Sequence, residues 1–220
     1  GNYSSFDSVA GDAVDRAALA GTEYAFDSGG DPLVIPSLTL SKLRAFHKKY
    51  YCPANCLLFL YGNIPTEDQL DFVEKNVLSR IKDAGRTARF PKENFDARIK
   101  RRVRDFGPAD DGSSEKGDSS KNIASAVWRI GECAQKECVS ELSMELMFLG
   151  ELLWGDDCAP VAKALLDSNL GEDIAPQSGE GINTRYFTMC VGLRGIKTSD
   201  AKKMDSVIDK ALSEICSNGI

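Results

Sequence analysis

The clearest apolar pattern lies at the end of the chain. Met204, Val207, Ile208, Ala211, Leu212 and Ile215 recur every three or four residues, which puts them on one face of a helix. Before it, Phe187, Met189, Val191 and Leu193 alternate with Thr188, Cys190 and Gly192, the two-residue period of a half-buried strand. The stretch from Val139 to Trp154 is apolar on nearly every side and predicts a helix buried in its domain. Another helix is expected from about Pro160 to Leu170, with Gly171 as its C-terminal cap. Further back, Thr66-Glu67-Asp68-Gln69 has capping-box spacing, and Leu70, Val73, Val77 and Ile81 form a stripe, so a helix begins there. Thr39 is placed to cap a helix through about Tyr51, with Leu40, Leu43 and Phe46 on one face and Pro53 ending it.

The shorter runs read differently. Cys56-Leu57-Leu58-Phe59-Leu60-Tyr61 is continuously apolar and closed by Gly62-Asn63, which predicts a buried strand. Arg98 to Phe106 and Ile123 to Ile130 predict two strands of a hairpin, and the polar stretch from Gly107 to Lys121 predicts a long tip. Residues 1–27 are small and polar with a weak helical stretch around Val14 to Leu19, and Ser28-Gly29-Gly30-Asp31-Pro32 is a fixed loop. Residues 83–96 carry charge, Gly85 and Pro91 without periodicity and are expected to join two domains. A strand, a Gly-Asn-Ile-Pro-Thr-Glu-Asp turn from Gly62 and a helix are echoed by a strand, Gly195-Ile196-Lys197-Thr198-Ser199-Asp200 and a helix, a hint of two related domains.

Composition narrows the partners. With 220 residues and 42% apolar content the chain can bury a real core. A net charge of -6 and a pI near 5.0 argue against nucleic acid or an anionic membrane as the main partner, because phosphate is bound through a basic surplus. Seven scattered cysteines show no framework spacing, which favours a reducing intracellular compartment. The uncharged stretch Tyr50 to Thr66 is broken by prolines and a glycine and is no membrane span, and Gly1 to Ala10 has no signal-peptide pattern. Gly1 in place of methionine suggests a processed or shortened chain.

Candidate chemistry is sparse. The single histidine, His47, precedes Cys52 and Cys56, yet tetrahedral zinc needs a fourth ligand that is missing locally, and Cys56 opens an apolar run where cysteine acts as a small hydrophobe. Cys133 and Cys138 read the same way. A cysteine–imidazole pair is possible on paper without local support. The glycines of the Ser28 to Pro32 loop lack the lysine and spacing of a phosphate loop, so a turn is favoured. Arg98, Lys100, Arg102 and Arg104 would share one strand face, which reads as a solvated edge before it reads as a site for an acidic partner.

One set of residues exceeds generic pattern. Ser28-Gly29-Gly30-Asp31-Pro32-Leu33, Ile35-Pro36-Ser37-Leu38-Thr39, Leu43, Phe46-His47, Tyr50-Tyr51, Pro53, Asn55 and Tyr61-Gly62-Asn63 closely resemble the presequence-protease and falcilysin branch of the pitrilysin-like inverzincin metallopeptidases. The stretches from Lys163 to Gly171 and from Val191 to Ile196 are similar to that family's second domain. The resemblance implies an α+β fold, a mixed, largely antiparallel sheet with helices packed on one face, and parts of two homologous domains. It implies that residues 1–82 are the C-terminal part of the catalytic domain, 83–96 a linker and 97–220 the first part of a second, noncatalytic domain.

In that family zinc is bound by an H-x-x-E-H helix and a downstream glutamate, with the motif glutamate as general base. One histidine cannot supply that motif, so no catalytic or metal residue is carried onto any position here. The resemblance implies a zinc-bearing parent protein whose other domains are this chain's partners and whose substrates are short unstructured peptides held in a closed chamber. It places Ser28, Gly29, Gly30 and Asp31 as candidates to face that chamber, and it allows a mitochondrial, plastid or parasite digestive setting. Two alternatives stand beside it: a noncatalytic scaffold of the same fold, and a small zinc module built on His47 and the cysteines.

Overall fold

The alternating run near the end of the chain forms the central strand of an antiparallel sheet in the computed structural model, which describes residues 2–87, 107, 122–132, 139–182 and 184–219. By internal packing the chain divides into two units, one made of Gly1–Ser28 with Asn94–Ile220 and one of Gly29–Glu93.

In the first unit, β1 (Ile123–Glu132) lies along the full length of β4 (Tyr186–Arg194), from Ile123 opposite Arg194 to Glu132 opposite Tyr186. A bulge between Arg129 and Gly131 gives β1 one extra residue. The other edge of β4 is shared by two short strands, β2 (Asp173–Ile174) and β3 (Gly179–Gly181). α4 (Val139–Trp154), α5 (Pro160–Asp167) and α6 (Ala201–Asn218) cover one face of this sheet. The side-chain period of two decides which face: Phe187, Met189, Val191 and Leu193 of β4 join Leu165 of α5 and Met204 and Ile208 of α6 in one core, with Ala124, Ala126 and Trp128 of β1 packed against it. Each fully buried side chain there is worth about 1.5–3 kcal/mol of hydrophobic stabilisation.

The opposite face carries Ser125, Val127 and Arg129 of β1 and Thr188, Cys190 and Arg194 of β4, and it is covered by α1 (Phe6–Ala18). Ser5 caps that helix, accepting from the Ser8 amide at 3.3 Å. α1 is thus longer than the weak signal around Val14 to Leu19 suggested. The α+β class and the antiparallel sheet are those expected, and the cover on the second face comes from the far end of the sequence.

Three details differ from expectation. α4 is a helix over the predicted span, but of its described large side chains only Leu146, Leu153 and Trp154 are buried, while Met144 and Phe148 are 70% and 68% exposed. Its apolar residues outnumber the neighbours that the described residues provide. α5 ends at Asp167, and the left-handed residue after it is Asn169 at φ 53°, not Gly171. Gly171 is required for another reason: a Cβ there would lie 2.7 Å from the Arg194 carbonyl oxygen and 2.9 Å from Leu193. The first strand of the predicted hairpin, its tip beyond Gly107, the basic run from Arg98 to Arg104, and Cys133 and Cys138 lie outside the described residues.

The second unit contains α2 (Leu40–Tyr50) and α3 (Thr66–Asn76). Thr39 caps α2 as expected, accepting from the Lys42 amide at 3.3 Å. α3 begins at Thr66 itself with Pro65 in the cap position, so Thr66 is the first helical residue and makes no side-chain cap. The predicted strand from Cys56 to Tyr61 is extended but pairs with no other strand among the described residues, and Leu57, Phe59 and Tyr61 are 95%, 82% and 95% exposed. A strand is defined by the ladder it joins, and the described part of this unit offers none. The burial expected for Cys56 fails with it, since Cys56 is exposed. No described residue from 29 to 87 is buried. The stripes of α2 and α3, with Leu40, Leu43, Phe46 and Leu70, face solvent.

Candidate functional site

The glycine-rich loop is built as a turn. Gly30 has φ +87°, a conformation that side chains with a Cβ rarely adopt, and a Cβ at this position would meet Ile35 at 3.3 Å. Asp31 organises the next few residues: its Oδ1 accepts from the Leu33 amide at 2.8 Å, and its carbonyl accepts from the Val34 and Ile35 amides, each at 2.9 Å. Those bonds start the short 3-10 turn Ile35–Ser37 and deliver the chain to Thr39 at the head of α2. Ser28 closes one packing unit and Gly29 opens the other. The amides after Asp31 are engaged by its own carboxylate and carbonyl, which fits a turn rather than an anion cradle.

His47 and the nearby cysteines go separate ways. His47 sits in the last turn of α2, exposed, with its ring stacked on Tyr51 at a centroid distance of 4.8 Å and 13° between planes. Cys52 turns its thiol toward the Arg86 carbonyl at 3.6 Å, and Gly85 is pressed against it so closely that a Cβ there would stand 2.6 Å from its Sγ. Among the described residues, no group of three His, Cys, Asp or Glu side chains is arranged to hold a metal. Zinc of the hydrolytic kind needs three protein donors and an open position, and the donors present here do not fit it.

The most unusual chemical environment is one that the sequence did not mark. Cys190 is 4% exposed on the α1 side of the sheet. Burial pushes its thiol up to about 12, the adjacent Ser125 offsets part of that, and the Asp15 carboxylate of α1 adds to it. Asp15 is itself raised above its ordinary 3.8, first by burial and then by Asp12. Arg129 lies at the end of α1: its Nε donates to the Ala18 carbonyl at 3.0 Å and its Nη2 to the Ala20 carbonyl at 3.4 Å, while the guanidinium rests over the Tyr186 ring at 4.3 Å. The alternation of β4 could have flagged Cys190 as facing away from the core, but the α1 charge that acts on it, Asp15, lies far back in the sequence.

The described part of the chain is thus an α+β structural module with no hydrolytic metal centre assembled among its described residues. A family model described as the peptidase M16 inactive domain matches residues 37–220, and the chain belongs to the M16 peptidase family. It is 31% identical over 199 residues to the mitochondrial presequence protease of Xenopus tropicalis, covering 90% of this chain and 18% of that protein. Protein HypA of Clostridium perfringens is 28% identical over 220 residues, all of this chain and 22% of that protein. Presequence protease 1, chloroplastic/mitochondrial, of Arabidopsis thaliana is 26% identical over the same 220 residues, 20% of its own length. The chain spans about a fifth of the length of these curated relatives.

Proposed function

We propose that this chain is the noncatalytic wall and support of a zinc metalloendopeptidase that degrades short, unstructured peptides in a closed chamber. The observation that carries this is the match of residues 37–220 to the family's inactive domain, together with a chain that spans a fifth of its relatives. Zinc and the general base belong, on this reading, to residues of the longer protein. By descent we read residues 1–82 as the end of its catalytic domain, 83–96 as the connection and 97–220 as the start of the second domain, although the inactive-domain match already begins at residue 37 and residues 1–28 pack in one unit with 94–220 in this chain. The Ser28, Gly29, Gly30 and Asp31 turn is the segment offered to the chamber, its shape fixed by Gly30 and Asp31.

The exposed apolar residues of the 29–87 stretch support the same reading. Leu57, Phe59 and Tyr61, in an extended run with no strand partner among the described residues, and the exposed stripes of α2 and α3 are what a strand and two helices look like without the sheet they belong to. In the full protein that sheet is supplied by the rest of the catalytic domain. The Xenopus relative is a mitochondrial presequence protease and the Arabidopsis relative a chloroplastic/mitochondrial one, and an organellar setting is proposed for this protein by that likeness.

The test uses the full open reading frame and the 220-residue chain side by side. Cleavage of an unstructured fluorogenic peptide is expected from the full protein, abolished by chelator and restored by zinc. The chain alone is expected to be inactive under all three conditions. A full-length product with no chelator-sensitive cleavage would favour a scaffold of the same fold, and metal-dependent cleavage by the chain alone would overturn the assignment.

A further inference from the structure

The two faces of the sheet are held by different means. On the α4–α6 side the cohesion is apolar, with fifteen buried residues in one cluster. On the other side the segment 2–27 buries Val9, Ala18 and Leu19, with Thr22, among the described residues. Phe6 lies against Gly107, and polar contacts among the described residues add to these ties. Arg129 holds the end of α1 through the Ala18 and Ala20 carbonyls, and Gln177 Nε2 donates to the Asp7 carbonyl at 3.0 Å. Arg194 stands 3.7 Å from the Asp7 carboxylate. A cation at a helix C-terminus is favourable, and hydrogen bonds from a charged donor are among the stronger ones. Even so, a segment with few buried apolar residues opens at lower free energy than a packed core.

We propose that residues 2–27 are a releasable strap over the second face of the sheet, latched by Arg129, and that its release uncovers Cys190 while the α4–α6 side stays folded. Arg129 acts as a positioning residue. It sits just before the bulge of β1, and Tyr186 beneath it keeps the guanidinium aimed at the two carbonyls. Cys190 is the natural reporter because it is buried on the sheet face on which α1 packs. The strap does not depend on the proposed peptidase role, and its test reads no activity.

The experiment labels the 220-residue chain with iodoacetamide under native conditions and reads each cysteine by peptide mass spectrometry. The Cys190 thiolate displaces iodide to form a thioether, and the thiol proton passes to buffer. In the unaltered chain, Cys190 labelling is expected to be nearly independent of low denaturant, and the α1 amides are expected to exchange faster than those of β4 and α6. Arg129→Met is expected to speed Cys190 labelling about tenfold, as loss of charge-assisted bonds would. Arg129→Lys, which keeps the charge but not the fork, is expected to fall between. The proposal is overturned if Cys190 in the unaltered chain labels with the same denaturant dependence as exchange in α6, because the strap then opens only with the whole fold. It is equally overturned if Arg129→Met leaves the labelling rate unchanged. Should that variant fail to fold, the measurement on the unaltered chain decides.

Discussion

Leu165→Ala should cost the sheet-bearing unit a large part of its stability. Leu165 has no exposed surface, and it sits in α5 within the cluster that includes Val191 and Leu193 of β4 and Met204 and Ile208 of α6. Truncation removes three carbons from water-excluded packing and leaves a cavity that two helices and a strand can close only in part. Leucine-to-alanine changes at such sites cost about 2–5 kcal/mol, and the rigid surroundings place this one near the middle, about 3 kcal/mol. Domains of this size are stable by about 5–15 kcal/mol, so the loss would be visible as a clear shift of the midpoint. Urea unfolding followed by the fluorescence of Trp154, 8% exposed in the same cluster, is the direct assay. The companion change is Phe59→Asp, which removes a larger apolar group that is 82% exposed. In this chain it should alter the unfolding free energy by less than about 0.5 kcal/mol. Comparable costs for the two would refute the picture of one packed unit and one with no buried residue among those described.

Other consequences can be measured on the same chain. Gly192→Ala should destabilise it by about 1–3 kcal/mol in the urea assay, because the added Cβ would run into the Ala124 carbonyl and lie 2.7 Å from Ser125 Cα. Gly11→Ala, in the middle of α1 with no described atom within 4 Å of the new methyl, should stabilise by about 0.5–1 kcal/mol and slow amide exchange in α1. Asp15→Asn should raise stability at neutral pH. The folded carboxyl is raised above 3.8, so the native state binds the extra proton and stability falls as pH climbs from 3.8 through the folded value. The gain from Asp15→Asn should therefore vanish below pH 3.8, and a gain that persists there would contradict the assignment. Cys190 behaves likewise at the alkaline end, where stability should fall from pH 9 toward about 12 as the unfolded thiol ionises first.

Elements whose partners lie close in sequence, or whose pattern fixes their face, were legible. α6 was readable from Met204, Ile208 and Ala211, and β4 from the alternation of Phe187, Met189, Val191 and Leu193; all seven are buried. The failures share a cause. The run from Cys56 to Tyr61 and the all-round apolar α4 were expected to be buried, but burial is a property of neighbours, and composition does not say whether those neighbours lie in the same chain. Thr66 and Gly171 had the right residue types for caps, yet Pro65 and Asn169 occupy those places. The Gly30 turn was legible because its geometry is local. The packing of α1 on β1 was not, because Arg129 and Ala18 are 111 positions apart and no period spans that distance.

That long separation also bears on synthesis. At roughly 5–20 residues per second, a ribosome needs on the order of ten seconds after Ala18 before Arg129 is made. The Gln177 partner of Asp7, 170 positions on, arrives later still. The nascent α1 must wait all that time without its platform, and an isolated helix this short is marginal in water. Translation speed through the intervening region, and any chaperone that shelters the waiting helix, would then govern how much of the protein acquires its final topology.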